Sequence, residues 1–328
     1  MEKMLSFNAV ESLLQAPILY HLWVCNVKRE PIKAYTWLEE TYFLHQLGLG
    51  MEEVIRYLFE AQPSFADFEN WIMAKDLGIK TAEDVQAVLE REKRERAEDI
   101  SDVFGEEELN FLQNNGYIVL KNAETPMEVE AATQAIWAHL GASLQDEKSW
   151  YQSHQDLWGI MLAIHQHAAF RAIRASVRIR RVYQQAYGTK DIYKVIDKVG
   201  FNPPVSDHYT FKGSHLHWDT SLVLPIPQRF QGLLYLTDTG EQDGAFHCVP
   251  GFHLEIDQWL ASLAPDLNPR ELALTALKAT PVPGNAGDFV LWHQALPHRA
   301  TPNKGKTPRL VQYFTYLPLK QEEERAWK

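Results

Sequence analysis

From about residue 230 onward, the sequence consists of short apolar segments separated by turn-forming residues. The turn signals are rich in Asp, Gly, Pro and Asn, as in Asp243-Gly244 and Pro283-Gly284. The apolar segments are 233–236, 245–249, 279–282, 289–292 and 310–317. Many short strands at this spacing are typical of a β-sandwich or a jelly roll, so the last third predicts that kind of core.

The first hundred residues predict helices instead. Apolar positions recur every three or four residues in 38–44 and 51–59, which is the pattern of amphipathic helices. Ser64, with Asp67 three residues later, predicts a helix N-terminus. Residues 81–99 are strongly charged, and we place a domain boundary near them. The expected organisation is a helical region over 1–100, a main domain over 101–320 and a charged tail over 321–328.

The middle of the chain mixes both patterns. We expect helices over 106–115 and 128–140, and strands over 117–120 and 192–201. A long helical stretch is expected over 157–187, with Gly188 as its end. Five arginines in this stretch have roughly helical spacing and predict a solvated helix face, with a site for an anionic substrate as the alternative. They are Arg171, Arg174, Arg178, Arg180 and Arg181. The predicted fold class is α+β.

Composition and charge limit which binding partners and which cellular compartment we expect. The chain has 328 residues, 45% hydrophobic and 23% charged, with a formal net charge of −11. This charge disfavours binding to nucleic acid, and no apolar run approaches the roughly 20 residues of a membrane helix. Cys25 and Cys248 make no disulfide framework. Because Glu2 and Glu11 interrupt the pattern of a signal peptide, we expect a cytoplasmic protein with no membrane partner.

One motif carries the candidate chemistry. His217 and Asp219 form a His-x-Asp pair, and side chains two apart on a strand point to the same face. An imidazole and a carboxylate that converge are two thirds of the facial triad that binds non-heme Fe(II). The residues alone leave the third ligand open between His293 and His298, and they also permit a cupin-like pair of His215 and His217.

Four segments in this order resemble the phytanoyl-CoA dioxygenase family of Fe(II)/2-oxoglutarate-dependent oxygenases. The resemblance covers roughly residues 107–318, and it includes an arginine, Arg309, eleven residues after His298. A lone His-x-Asp is a weak signal, but all four segments together are a specific one. The segments are 111–120 (FLQNNGYIVL), 217–219 (HWD), 244–253 (GAFHCVPGFH) and 287–293 (GDFVLWH) followed by His298.

The resemblance implies a fold and a set of site residues. The fold is a double-stranded β-helix, a jelly roll open at one end, with flanking helices and the extra N-terminal helical region. Fe(II) would be bound by His217, Asp219 and His298, with no catalytic residue beyond this metal centre. The cosubstrate 2-oxoglutarate would chelate the iron beside O2, and Arg309 would pair with its distal carboxylate, because a guanidinium matches a carboxylate with two hydrogen bonds.

Further cosubstrate contacts are expected from the same resemblance. Asn202 and Tyr235 lie on strands that would flank 2-oxoglutarate. The family often has a small hydroxyl residue two positions after the distal histidine. That position is Ala300 here, so Thr301, the next residue, is the candidate.

The resemblance also implies a reaction. Halogenases on this scaffold lack the carboxylate ligand, and Asp219 is present, so we expect hydroxylation of a small-molecule substrate with release of succinate and CO2. Desaturation and oxidative demethylation are related outcomes. The rival functions are a non-catalytic binding module and a cupin-like metal enzyme that does not use 2-oxoglutarate. The N-terminal region has no counterpart in the minimal domain, and active-site capping, self-association and docking of a carrier protein stay open for it.

Overall fold

The computed structural model describes residues 12–30, 32–164 and 166–320. The chain divides into two compact units. One comprises Met1–Asp99 and Tyr193–Ile196, and the other comprises Ile100–Ile192 and Asp197–Lys328. The tail predicted over 321–328 lies outside the described residues.

The first unit is helical, as its apolar spacing predicts. Two of its helices begin with reciprocal capping boxes, in which Thr36 and Thr81 pair with acidic residues three positions on, and this satisfies backbone N–H groups at the helix start. Ser64 caps the next-to-last helix as predicted. The helices are α1 (Pro17–Trp23), α2 (Trp37–Gln46), α3 (Met51–Ala61), α4 (Phe65–Ala74) and α5 (Ala82–Ala97), with a π-helical turn at Val24–Lys28.

The second unit combines helices with antiparallel strands. Its helices are α6 (Glu106–Asn115), α7 (Pro126–Leu140), α8 (Ala168–Arg174), α9 (Val177–Tyr187), α10 (Phe252–Ser262) and α11 (Pro269–Ala276). The chain's strands are β1 (Tyr117–Leu120), β2 (Leu157–Trp158), β3 (Met161–Leu162), β4 (Ile192–Lys194), β5 (Val199–Asn202), β6 (Phe230–Tyr235), β7 (Phe246–Cys248), β8 (Thr280–Val282), β9 (Phe289–His293), β10 (His298–Arg299), β11 (Arg309–Tyr313) and β12 (Tyr316–Pro318).

Two sheets of the second unit position the site. The larger one has the strand order β1-β9-β6-β11-β5-β3-β2, and the smaller one has the order β10-β7-β8. The pairs within both sheets are antiparallel. The second unit is thus a mixed fold of helices and antiparallel sheets, which agrees with the predicted α+β class.

The larger sheet buries both of its faces, and strand β9 shows how. Its residues alternate between two hydrophobic clusters, as the two-residue period of a strand requires. Phe289 and Leu291 pack into the cluster that includes Ile136, Phe170 and other helix residues. Val290 and Trp292 pack into a cluster with side chains of the smaller sheet, such as Phe246. A side chain on this second face therefore points between the two sheets.

The prediction of one helical stretch over 157–187 is wrong. The segment contains the hairpin β2–β3 and two separate helices, α8 and α9. Leu157 pairs with Leu162 and Trp158 with Met161, so Gly159 and Ile160 form a two-residue turn. Gly159 has φ of 63°, and tight hairpin turns require such a residue. Ser176 then caps α9 by accepting the Ile179 N–H, which separates it from α8.

Two further expectations in this region need correction. Residues 192–201 form two strands, β4 and β5, instead of one. The arginines do not share a solvated face, because Arg174 and Arg180 are buried, with 3% and 5% of their surface exposed. Arg178, in contrast, is exposed. Helical spacing alone could not distinguish the two environments.

Across the described ranges, we find no helix whose length and apolarity would let it cross a lipid bilayer.

A buried carboxyl group near β1 gives a prediction about stability. Glu124 is 9% exposed, and burial raises its pKa to about 7 despite a hydrogen bond from Ser176. The folded state therefore keeps a proton that the unfolded chain releases at lower pH. Stability should fall as pH rises from the ordinary pKa through about 7. Glu124→Gln should remove this fall and stabilise the protein above neutral pH by roughly 1–2 kcal/mol.

Urea unfolding at about pH 5 and about pH 8 measures this effect. Glu130→Gln, at an exposed position of α7, is the matched control and should keep the wild-type pH dependence. An unchanged pH dependence in Glu124→Gln would contradict the assignment.

Candidate metal centre

Backbone pairing brings two of the predicted ligands together. His217 forms an isolated antiparallel bridge with His298, the first residue of β10. The His217 N–H donates to the His298 carbonyl at 3.0 Å, and the His298 N–H donates back at 2.9 Å. Side chains of directly paired residues lie on the same side, so the two imidazole rings lie side by side with centroids 4.7 Å apart.

Asp219 completes the group, because it points to the same side as His217. Its Oδ1 lies 3.4 Å from His217 Nε2, and its Oδ2 lies 3.2 Å from His298 Nε2. Between the two ligands, Trp218 points the other way. Its ring is buried, and its Nε1–H donates to the Ala295 carbonyl. The structure thus brings His217, Asp219 and His298 within metal-binding distance of one another.

Hydrogen bonds to the backbone orient both imidazoles. His217 Nδ1 lies 2.7 Å from the His215 carbonyl, and His298 Nδ1 lies 3.0 Å from the Leu296 carbonyl. A carbonyl accepts only, so each Nδ1 carries a proton, and Nε2 is the nitrogen that offers a lone pair to a metal when the ring is neutral. Metal-binding histidines are commonly held in this way. The two Nε2 atoms are those that face Asp219, so the donor set fits a divalent cation.

The electrostatics of the group favour an ionised carboxylate. Burial opposes the charge of Asp219, but hydrogen bonds from His217 and His298 outweigh it and hold the pKa of Asp219 well below its usual range. Burial likewise opposes the charged form of His217, but the hydrogen bond with Asp219 raises its pKa above the usual value. Asp219 is half-exposed, whereas His298 is buried, so the group is accessible from one side.

Two residues that the sequence did not reveal support Asp219. Gln231, on β6, donates from Nε2 to Asp219 Oδ2 at 2.9 Å. Arg270, at the start of α11, donates to the carbonyls of Trp218 and Thr220 at 2.8 and 2.7 Å. It therefore holds the backbone on both sides of Asp219. Neither residue belongs to a motif, and both roles depend on how distant segments meet in the fold.

Arg309 is a buried cation with unused donors. It is 2% exposed, and its Nη1 donates to the Gly244 carbonyl at 2.7 Å. Its Nε and Nη2 are buried and have no hydrogen-bond partner among the described residues. A buried unpaired charge is costly, so these atoms point to an anionic ligand. Arg309 shares the β11 face of Val311 and thus points between the sheets.

Asn202 lies beside this arginine. The two are directly paired across β5 and β11, so their side chains share one face. Asn202 Nδ2 donates to the Thr301 carbonyl at 3.0 Å, and its Oδ1 is buried without a hydrogen-bond partner in the described part of the chain. Asn202 and Arg309 together therefore offer one open acceptor and two open donors.

The other two predicted cosubstrate residues are placed differently. The Tyr235 hydroxyl donates to the Val282 carbonyl at 2.7 Å and accepts the Phe246 N–H at 3.0 Å. Burial raises the pKa of Tyr235 to about 12, so this hydroxyl links the two sheets as a neutral group. Thr301 Oγ1 donates to the Ala245 carbonyl in a long hydrogen bond of 3.4 Å. Because this bond is weak, the hydroxyl can exchange it for a bond to a ligand.

The alternative histidines lie outside the metal-binding group. His293 Nδ1 accepts the Ala295 N–H, and its ring contacts Phe230 and His253. Burial lowers the pKa of His293 to about 4, as expected for a neutral, packed ring. His215 is exposed and contributes its carbonyl to His217.

Comparison with known proteins agrees with this geometry. A family model for phytanoyl-CoA dioxygenase (PhyH) matches residues 112–311, which is more than half of the chain. The chain belongs to the phytanoyl-CoA dioxygenase family. The family that the sequence resembles is therefore confirmed. Family membership and the donor set together support Fe(II), 2-oxoglutarate and O2 as the cofactors.

The individual relatives have low sequence identity to this chain. Dioxygenase lolE1 of Epichloe uncinata is 22% identical over 218 residues, covering 64% of this chain and 81% of its own length. A Dictyostelium discoideum protein provisionally named phytanoyl-CoA dioxygenase is 28% identical over 97 residues. That match spans 27% of each chain, about a quarter of the relative. The epimerase SnoN, solved with Fe³⁺, α-ketoglutarate and nogalamycin RO, has a TM-score of 0.47 at 19% identity, covering 65% of this chain and 83% of SnoN.

Gly244 gives a prediction about the Arg309 environment. It has φ of 79°, and a Cβ there would lie 2.5 Å from Asn202 Nδ2 and 3.1 Å from the Thr301 carbonyl. Gly244→Ala should therefore destabilise the protein by about 1–3 kcal/mol through steric conflict, in addition to backbone strain.

Gly188→Ala is the matched control, because Gly188 has φ of 66° and open space around its Cβ position. It isolates the backbone strain, so it should cost clearly less in urea unfolding. Equal losses for both variants would show that Gly244 matters for its φ angle alone.

Proposed function

We propose that this protein is an Fe(II)/2-oxoglutarate-dependent oxygenase that hydroxylates a small molecule and releases succinate and CO2. The observation that carries the proposal is the combination of a two-histidine, one-carboxylate group with a buried guanidinium that has no anionic partner among the described residues. When bound, iron with 2-oxoglutarate would activate O2 and supply the oxidant for a C–H bond of the substrate.

The protein's own residues would bind and orient these groups. His217 and His298 would hold Fe(II) through Nε2, and Asp219 would hold it through a carboxylate oxygen. This leaves three coordination positions for cosubstrate and O2. Gln231 and the Arg270-held backbone would keep Asp219 in place. This support matters because a ligand that turns away from the metal weakens binding.

Arg309 would bind the distal carboxylate of 2-oxoglutarate. Its Nε and Nη2 form one edge of the guanidinium, and this edge can donate two parallel hydrogen bonds to a carboxylate. The bond from Nη1 to the Gly244 carbonyl fixes the plane of the group before the ligand arrives. We assign Asn202 and Thr301 to the polar wall of this pocket, and Tyr235 to its apolar wall through the ring, since its hydroxyl is already used.

The presence of Asp219 favours hydroxylation over halogenation, because a halide would need the position that the carboxylate occupies. The two facing sheets support a double-stranded β-helix for 101–320. The helical region of 1–100 is a candidate cap, self-association surface or carrier-docking surface. A cytoplasmic location stays a prediction.

The first test is succinate formation from 2-oxoglutarate under air with added Fe(II). His298→Ala should lower this activity by at least about 100-fold, because it removes a metal ligand. The matched control is His293→Ala, which removes a nearby imidazole outside the metal-binding group and should keep the activity. Full activity in His298→Ala, or its loss only in His293→Ala, would exclude the proposed centre.

The second test separates cosubstrate binding from turnover. Anaerobic titration of the Fe(II) protein with 2-oxoglutarate should produce a visible charge-transfer band. Arg309→Lys keeps the charge but loses the planar fork, so it should weaken 2-oxoglutarate binding by about 10- to 100-fold.

Arg178→Lys is the control for this titration, since Arg178 is exposed, and it should bind like the wild type. If Arg309→Lys bound 2-oxoglutarate with unchanged affinity, Arg309 would not be the carboxylate partner. A folded, iron-loaded wild type without the band would favour a metal protein that does not use 2-oxoglutarate.

A further inference from the structure

A second group of metal-donor side chains shares no residue with the candidate iron centre. His139 is in the last turn of α7, and His154 and Asp156 precede β2. Asp156 Oδ2 lies 2.9 Å from His139 Nε2 and 3.8 Å from His154 Nδ1. The three donor atoms lie within 4.8 Å of one another. His154-Gln155-Asp156 is thus another His-x-Asp motif, completed by a histidine from a different segment.

The spacing of these atoms suits a tetrahedral cation. Zinc bonds to nitrogen and oxygen of about 2.0–2.1 Å place tetrahedral ligand atoms about 3.3 Å apart. The measured separations of 2.9 and 3.8 Å lie on either side of this value. With the third separation below 4.8 Å, these distances are compatible with side-chain rotations that bring the three donors to a common centre.

A simple ion pair does not account for the whole group. His139 and Asp156 alone could form one, but the His154 ring also lies against them, with its centroid 4.8 Å from that of His139. One carboxylate oxygen, Asp156 Oδ2, thus faces donor atoms of both imidazoles. A divalent cation can bind two neutral imidazoles and the carboxylate at once.

The segment that carries two of the donors is held in place by backbone hydrogen bonds. The His154 carbonyl accepts the Leu157 N–H at 3.1 Å, and the Asp156 carbonyl accepts the Ala163 N–H at 2.9 Å. His154 Nδ1 also accepts the Asp156 N–H in a long bond of 3.2 Å, which a metal ion would replace. The three side chains are 24–33% exposed, so an ion and one water ligand can reach them.

We propose that His139, His154 and Asp156 bind a Zn²⁺ ion at a site independent of the iron centre. Two imidazoles and one carboxylate are donors that zinc accepts in tetrahedral sites with water as the fourth ligand. The ion ties the end of α7 to the segment that leads into β2, which is the edge strand of the larger sheet. Its role is structural: it stabilises this edge of the second unit.

The test uses a full-length background variant with His217→Ala and His298→Ala, which lacks the iron centre. After equilibration with Zn²⁺ and dialysis against zinc-free buffer, metal analysis should find one zinc per chain. Zinc should also raise the thermal unfolding midpoint of this variant. Asp156→Asn and His154→Ala, added separately, should abolish both effects. His208→Ala, at an exposed histidine, is the control and should leave both unchanged.

Two results would overturn the proposal. One is the absence of retained zinc in the folded background variant. The other is zinc retention that survives both Asp156→Asn and His154→Ala, which would place the ion elsewhere. If the background variant does not fold, the wild type replaces it, and Asp156→Asn should lower its zinc content from two ions to one. Because the background lacks the iron ligands, the outcome does not depend on the oxygenase activity.

Discussion

The candidate metal centre depends on one backbone contact, the reciprocal hydrogen-bonded pair between His217 and His298. The two histidines come from distant parts of the sequence, and the pair fixes their side chains on one side of the backbone. Asp219 joins them because the strand period returns to the same side after two residues. A shift of this pairing by one residue would turn His298 away. The three candidate ligands are therefore positioned by backbone pairing and strand geometry.

The strand period also places the side chains of the proposed cosubstrate pocket, which belong to the larger sheet. Gln231, Tyr235 and Arg309 lie on strands β6 and β11, on the face that looks toward the smaller sheet. This face is otherwise apolar, which makes a polar or charged side chain on it costly unless it is satisfied. Gln231 donates its amide N–H to Asp219, although its Oε1 has no partner in the described part of the chain, and Arg309 leaves two donor atoms without a partner there. A charged group that is buried on this face without an anionic partner supports a binding site beside it.

The sequence could predict those parts of the site that belong to motifs. The three donors and Arg309 are in segments whose order and spacing are specific, and β1 and α6 follow from local apolar patterns. It failed over 157–187, where Gly159 makes a tight turn between strands too short to show alternation. It also missed Gln231 and Arg270, because their contacts with the Asp219 segment exist only once β6 and α11 are packed against it. Local patterns predict elements, but they do not report which distant side chains meet.

The two His-x-Asp motifs of this chain show why such a motif is weak evidence by itself. Each motif is completed by a histidine from another segment, and in each group the donor atoms lie within 4.8 Å of one another. Their surroundings differ. The first lies between two sheets that also bury Arg309, and a buried guanidinium whose donors have no partner among the described residues supports the proposed anionic cosubstrate. The second lies at a sheet edge, where its partly exposed donors can hold a cation but would give it a structural role. The same ligand pattern therefore supports different chemistry, and the charge and burial of neighbouring groups decide which.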